Sequence, residues 1–273
     1  MSLINATRPA TKSRRLPPLL IFGLFGGILL IYFALPFAVF LSRTGSVSIV
    51  EALSQVASRT AIRNSLLTAP AATAIATVLG VPLAYVLARE TFPGKRLIEA
   101  LVVLPLVVPP VVGGAMLLSV VGRFTPIGAA AARLGIPLTD SLIGIVLAQT
   151  FVAAPFVVIT ARAGFGAVDE RLEQASRSLG YGPIATFRRV SLPLTSRAIV
   201  AGVVLTFARA IGEFGATMMV AYNPRTIPTR IWVDFIAGGI DAIVPLALAL
   251  LAVTFIVVAT VQRFAGVPTA VEK

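Results

Sequence analysis

Six stretches of this sequence run for about 20 residues or more with few or no charges: residues 17–41, 65–88, 97–121, 141–161, 198–220 and 242–261. A helix needs about 20 predominantly apolar residues to cross the hydrocarbon of a bilayer, so each stretch has the length of one span. Only 12% of the 273 residues are charged, about half the share found in ordinary soluble domains, which argues against a soluble chain. The expectation is an all-α integral membrane protein with six transmembrane helices. The first stretch is longer than a signal-peptide core of about 7–15 residues and no A-x-A-like site follows it, so it reads as a retained span. On this reading residues 1–16 form an N-terminal tail, 17–263 a transmembrane domain, and 264–273 a C-terminal tail.

Orientation follows from the Lys and Arg residues. With the N-terminus inside, fifteen of the 23 fall in inner segments and seven in outer ones, Arg209 alone lying within a span. Basic residues favour the cytoplasmic side, which places both tails and the loop 169–193 in the cytoplasm of a cell that carries this chain in its inner or plasma membrane. The net charge of +12 is therefore read as orientation and not as nucleic-acid binding. The chain has no Cys and no His, so thiol chemistry, imidazole bases and the usual zinc or haem ligands are excluded.

The loop 169–193 reads DERLEQASRSLGYGPIATFRRVSLP, helix, turn, helix. Leu172, Ala175, Ser176 and Leu179 recur at helical spacing, Asp169 can cap the front, and Gly180 can end the helix in left-handed geometry. Gly182-Pro183 suits an N-cap with proline at N1. Ile184, Phe187 and Val190 are then expected on one face, until Pro193 breaks the pattern. Arg177, Arg188 and Arg189 stay on the polar sides.

The spacing resembles the EAA loop of ABC-importer permeases: Gln174-Ala175-Ser176, three residues, Gly180, nine residues, Val190, one residue, Leu192-Pro193. Gln174, Ser176 and Val190 replace the Glu, Ala and Ile of the family pattern. The resemblance implies a type I ABC-importer permease fold, with this loop gripped by an ATP-binding cassette subunit. The stretch 207–223, FARAIGEFGATMMVAYN, and the run LPLVVPPVVGG at 104–114 are similar to permeases for molybdate and tungstate, and the likeness extends over roughly residues 60–263. Sulfate and thiosulfate permeases share much of this pattern. The implied function is a pathway for a tetrahedral oxyanion, with molybdate or tungstate ahead of sulfate, thiosulfate or another ABC-imported solute. The implied partners are two ATP-binding subunits, an extracytoplasmic solute-binding protein and a second permease chain, as a homodimer.

ATP and Mg would be bound by the partner, since this chain has no G-x-x-x-x-G-K-[ST], and Gly94-Lys95-Arg96 lacks the upstream glycine and the hydroxyl. No cofactor or metal is therefore expected in the chain. A secondary transporter would need ion sites on discontinuous helices and usually an internal repeat, which the sequence does not display. A membrane enzyme would need a nucleophile, base or metal set, and only scattered Ser, Asp and Glu remain.

Two spans carry unusual residues. Pro105, Pro109 and Pro110 remove backbone donors from the third and force a kink, which is expected to face the bundle interior. The fifth holds Arg209 and Glu213, about 6 Å apart along the axis near mid-membrane. Facing lipid, each would cost about 2.5–3.5 kcal/mol, so both need a partner or a watery cavity. An intrahelical ion pair and a place on the anion's route are both open readings, and Arg209, Glu213, Pro109 and Pro110 are the candidate pathway residues. Outside, Ser48-Ile49-Val50-Glu51 fits a capping box opening a helix through Ser58, and residues 126–134 with Gly135 behind them suggest another. These short helices would either dock a binding protein or lie along the membrane surface.

Overall fold

The computed structural model describes residues 18–46 and 48–265, so the tail at 1–16 and most of that at 264–273 lie outside the described residues. The described residues are helical, with no strand among them. They fall into two compact units divided between Val47 and Ser48. The first holds α1, Pro18–Ser42, and a 3-10 turn at Arg43–Ser46. Its Phe22, Ile31 and Phe37 are exposed, as lipid-facing side chains of a helix that is apolar all round.

The second unit contains α2 (Ile49–Ser54), α3 (Val56–Arg89), α4 (Lys95–Val107), α5 (Pro110–Val121), α6 (Pro126–Arg133) and α7 (Leu142–Ala167). It continues with α8 (Glu170–Ser178), α9 (Pro183–Thr186), a π-helical turn (Phe187–Ser191), α10 (Leu192–Ile211), α11 (Gly215–Val220) and α12 (Ile227–Ala265). Gly239, at φ 71°, breaks α12. Among lipids, apolar surface alone does not drive helices together, and close approach through small residues does. The core uses that device: Ala69 and Ala72 of α3 meet Ala153 of α7 and Ala210 of α10, and Ala76 and Ala84 meet Val157 and Ala161.

The two ends of this bundle are chemically distinct. At one, the Tyr85 ring of α3 meets Phe165 of α7 and Phe187 of the π turn edge to face, one turn from Arg89. At the other, the Asn64 amide donates to the Arg225 carbonyl at 2.8 Å, and the Ile227 N–H donates to Ser65 at 2.8 Å.

Among the described residues five helices are long and apolar enough to cross a membrane, and α4 with α5 form a pair bent by 120°. In α4, Ile98 and Val102 pack with Leu87 and Phe165 at the Arg89 end. In α5, Leu117 and Val121 pack with Val220 and Ala148 towards the other. The bent pair packs near both ends of the bundle, and taken as one broken span it brings the candidate crossings among the described residues to six.

The proline-rich segment does not face the interior of this chain throughout. Pro109, Val111 and Val112 are exposed, Pro110 is half-buried, and Gly113 and Gly114 are buried, because the bend turns one flank of the break outward. The capping box at Ser48 is not formed either. Ser48 has the extended backbone of an N-cap but its hydroxyl accepts no backbone N–H, and Gln55 at ψ 139° ends α2 there, so Ser58 belongs to α3. Residues 126–134 behave as expected: Thr125 accepts from the Gly128 N–H at 3.0 Å, and Gly135 leaves at φ 75°.

Candidate functional site

The loop at the Arg89 end is built as its sequence asks at both ends of α8. The Asp169 carboxylate accepts the Arg171 N–H at 2.9 Å. Gly180 takes φ 85°, its N–H donating to the Arg177 carbonyl at 2.9 Å and that of Tyr181 to the Ser176 carbonyl at 3.2 Å, a Schellman closure. A side chain with a Cβ costs about 1–2 kcal/mol in that left-handed geometry.

The faces of the two short helices differ from the simple periodic reading. Ser176 is buried and hydrogen-bonded to Thr186 at 3.0 Å, tying α8 to α9. Leu172, Leu179 and Ile184 point away from the chain, 49%, 78% and 76% exposed. Gln174 and Ala175 are exposed as well, and the buried acid is Glu173, one position earlier. Ile184 and Phe187 line one apolar groove with Tyr85 and Val86 of α3, and the π turn from Phe187 to Ser191 changes the helical period before Val190. That turn is also why Pro193 does not break the chain. The Leu192 N–H reaches back five residues to the Phe187 carbonyl, and the helix runs on with Pro193 in the first turn of α10.

Glu173 is 3% exposed and accepts from three side chains on two elements. Arg89 Nε of α3 donates to Oε1 at 3.0 Å, Tyr85 Oη of α3 to Oε2 at 3.1 Å, and Ser191 Oγ of the π turn to Oε1 at 2.8 Å. Arg89 Nη2 pairs with the same Oε1 at 3.0 Å and donates to the Val168 carbonyl beyond α7 at 3.0 Å. The sequence reading missed this set. Its signal was available: Tyr85 and Arg89 stand four apart on one helix face, and Glu173 lies off the apolar stripe of α8.

The second set of candidates meets where two spans are broken. The fifth span is not one helix: α10 ends at Ile211, Gly212 to Phe214 lie outside both helices, and α11 begins at Gly215. Arg209 and Glu213 form the expected ion pair, with side chains 28% and 1% exposed. Glu213 lies in the break itself, and its Oε1 accepts the Ala216 N–H at 2.7 Å, satisfying a donor at the start of α11. The Phe214 ring packs against Trp232 with centroids 5.5 Å apart.

The break of the third span lies against this one. A Cβ on Gly215 would stand 3.0 Å from the Val111 nitrogen and 3.1 Å from Pro110 Cβ, and one on Gly114 would stand 2.7 Å from Ala216 Cα. The structure thus brings Pro110 to the segment that carries Arg209 and Glu213, and leaves Pro109 on the exposed flank. The loop residues Gln174, Ala175, Ser176, Gly180, Val190, Leu192 and Pro193 form a separate region at the Arg89 end. Chemically, the first region offers a half-exposed cation held by a buried acid, and the second an outward apolar surface on a braced loop.

Residues 76–266 match the family model described as "Binding-protein-dependent transport system inner membrane component". The chain is 49% identical over 230 residues, 84% of each chain, to the probable molybdenum ABC transporter permease protein of Haloferax volcanii. It is 42% identical over 243 residues to a molybdate/tungstate transport system permease protein of Thermococcus kodakarensis, covering 88% of this chain and 93% of that one. Its fold is similar to that of a chain in the crystal structure of a bacterial alginate ABC transporter in complex with an alginate pentasaccharide-bound periplasmic protein. The TM-score is 0.71 at 16% identity, with 90% of this chain and 93% of that one covered.

Proposed function

Because the chain belongs to the family of binding-protein-dependent transport system inner membrane components, as a multi-pass permease subunit of an ABC transporter, we propose that it forms the path for a tetrahedral oxyanion, molybdate or tungstate, in an importer. It is a transporter subunit and not an enzyme; ATP and Mg belong to a separate subunit of the machine. The observation that carries the substrate is the extent of the likeness to permeases named for molybdenum and for molybdate/tungstate transport, over more than four-fifths of the chain.

The chemistry of the broken spans supports the same reading. A dianion needs polar company at mid-membrane, and Arg209 is a cation there, half-neutralised by Glu213 so that the site holds the anion shallowly. The exposed flank of the third span, with Pro109, Val111 and Val112, suits a second copy of the chain closing the path from its other side.

The loop 169–193 supplies the coupling. Leu172, Leu179 and Ile184 give an ATP-binding subunit an apolar surface to grip, and closure of the ATP-bound pair would swing the loop and the spans behind it as rigid bodies. Both tails and this loop face the cytoplasm, and an extracytoplasmic binding protein delivers the anion at the Asn64–Arg225 end.

The test is uptake into proteoliposomes holding the complete complex with its ATP-binding subunit and binding protein. Labelled molybdate is expected to enter on ATP hydrolysis and to be displaced by tungstate at lower concentration than by sulfate. Sulfate displacing it as well as tungstate would move the assignment to the sulfate branch.

A further inference from the structure

We infer that the Arg89–Glu173 ion pair is the strut that makes the coupling loop rigid against the bundle, so that displacement of α8 moves α3 and α10 instead of being absorbed between them. This inference rests on the reading of the loop 169–193 as the contact for the ATP-binding subunit. Its physical basis is the way one carboxylate is shared. Glu173 of α8 accepts Arg89 Nε and Tyr85 Oη from α3 and Ser191 Oγ from the π turn that leads into α10. Arg89 extends the tie to the Val168 carbonyl behind α7. The Arg89–Glu173 pair therefore ties the loop to the ends of α3 and α7 and, through Ser191, to the turn that opens α10.

Stability alone does not account for this arrangement. Taking two charges out of water costs about as much as their attraction returns, and apolar residues of similar volume often serve a fold as well or better. The side chains of Arg89 and Glu173 are 6% and 4% exposed, so both have been taken out of water. What apolar residues would not supply is direction: hydrogen bonds fix the angle of α8 to α3, whereas apolar packing lets short helices slide.

The position is where slack would matter. The connection from α8 to α10 passes through Gly180 in left-handed geometry and a five-residue π turn, two features that let a chain pivot. The Ser176–Thr186 bond joins α8 to α9 and not to the bundle. Arg89 and Tyr85 hold α8 across this pivot, and Ser191 ties the same carboxylate to the last residue of the π turn. The apolar surface that faces outward, Leu172, Leu179 and Ile184, takes no part in the network, so gripping and bracing are separable.

The experiment uses the complete complex in proteoliposomes and reads molybdate taken up per ATP hydrolysed. Arg89→Met/Glu173→Leu removes both charges and leaves no buried ion unpaired. The strut predicts that this variant assembles with the ATP-binding subunit and hydrolyses ATP, while uptake per ATP falls by on the order of tenfold. A purely structural pair predicts unchanged uptake per ATP in whatever assembles, and that result overturns the inference. Ser191→Ala, which removes one tie and no charge, should lower uptake per ATP in the same direction and less; no change there counts against it equally.

A third reading needs no loss of function. The chain has no cysteine, so spin labels on cysteines at the exposed positions Thr91 and Ser178 report one distance. That distance is expected to stay fixed with and without ATP, and a change of more than about 5 Å, a helical turn, would overturn the strut. If the unvaried chain bound no ATP-binding subunit, the functional reading beneath would fail instead, and that shows before any variant is made.

Discussion

At Glu213 a single carboxylate answers two needs created by the break in the fifth span. One oxygen accepts the Ala216 N–H, which no turn of helix reaches, and the other side of the carboxylate faces Arg209. Glu213→Gln keeps an amide oxygen for Ala216 and leaves Arg209 without its counter-charge. Because a hydrogen bond to a charged group exceeds a neutral one by about 1 kcal/mol, a loss of about 1–2 kcal/mol is expected in thermal unfolding of the purified protein. Transport should change more than stability does: with the cation unbalanced, anion uptake slows or its preference among oxyanions shifts. Normal uptake with reduced stability would make the pair structural, and no change in either would remove Glu213 from both roles. The pair itself was legible in the sequence from its spacing of four. The break was not, since Gly212 and Gly215 flank it and glycine is common in unbroken membrane helices. Glu173 escaped for a different reason: the motif spacing points to Gln174, and nothing in the spacing says which neighbour turns inward.

At the level of elements, the two broken spans act as one device. Their breaks touch through backbone, Gly114 against Ala216 and Gly215 against Val111 and Pro110, so neither can be refilled with a side chain without parting them. Gly114→Val would put a Cβ 2.7 Å from Ala216 Cα, and backbone cannot swing aside as the tip of a long side chain can. A loss of about 1–3 kcal/mol is expected, read as a lower unfolding temperature in detergent, with wild-type stability contradicting the close approach. The bend of α4 on α5 was legible from three prolines within six residues, whereas its exposure was not, because local sequence does not say which flank of a kink faces lipid, protein or a second copy. The π turn was invisible for a related reason. Reading Ile184, Phe187 and Val190 as one face assumes a period of 3.6, and Pro193 then looks like a stop, while the widened turn before it lets the helix continue.

For the molecule as a whole, the membrane spans were legible because the bilayer imposes a length that apolar runs display directly, and the broken third span, taken as one, is a sixth candidate among the described residues. The loop was legible from spacing, and its bracing from α3 was not, since Arg89 had been counted among the basic residues that set orientation. The central claim joins these scales: the loop at the Arg89 end faces the cytoplasm and offers Leu172, Leu179 and Ile184 to an ATP-binding subunit. Thr186 is buried, so a probe belongs at Ile184, which is 76% exposed. The cysteine-free chain permits a single cysteine at that position, treated with a membrane-impermeant thiol reagent in inside-out and right-side-out vesicles. The account predicts labelling in inside-out vesicles alone, and its loss when the ATP-binding subunit is added. Labelling in right-side-out vesicles, or labelling undiminished by that subunit, would contradict it.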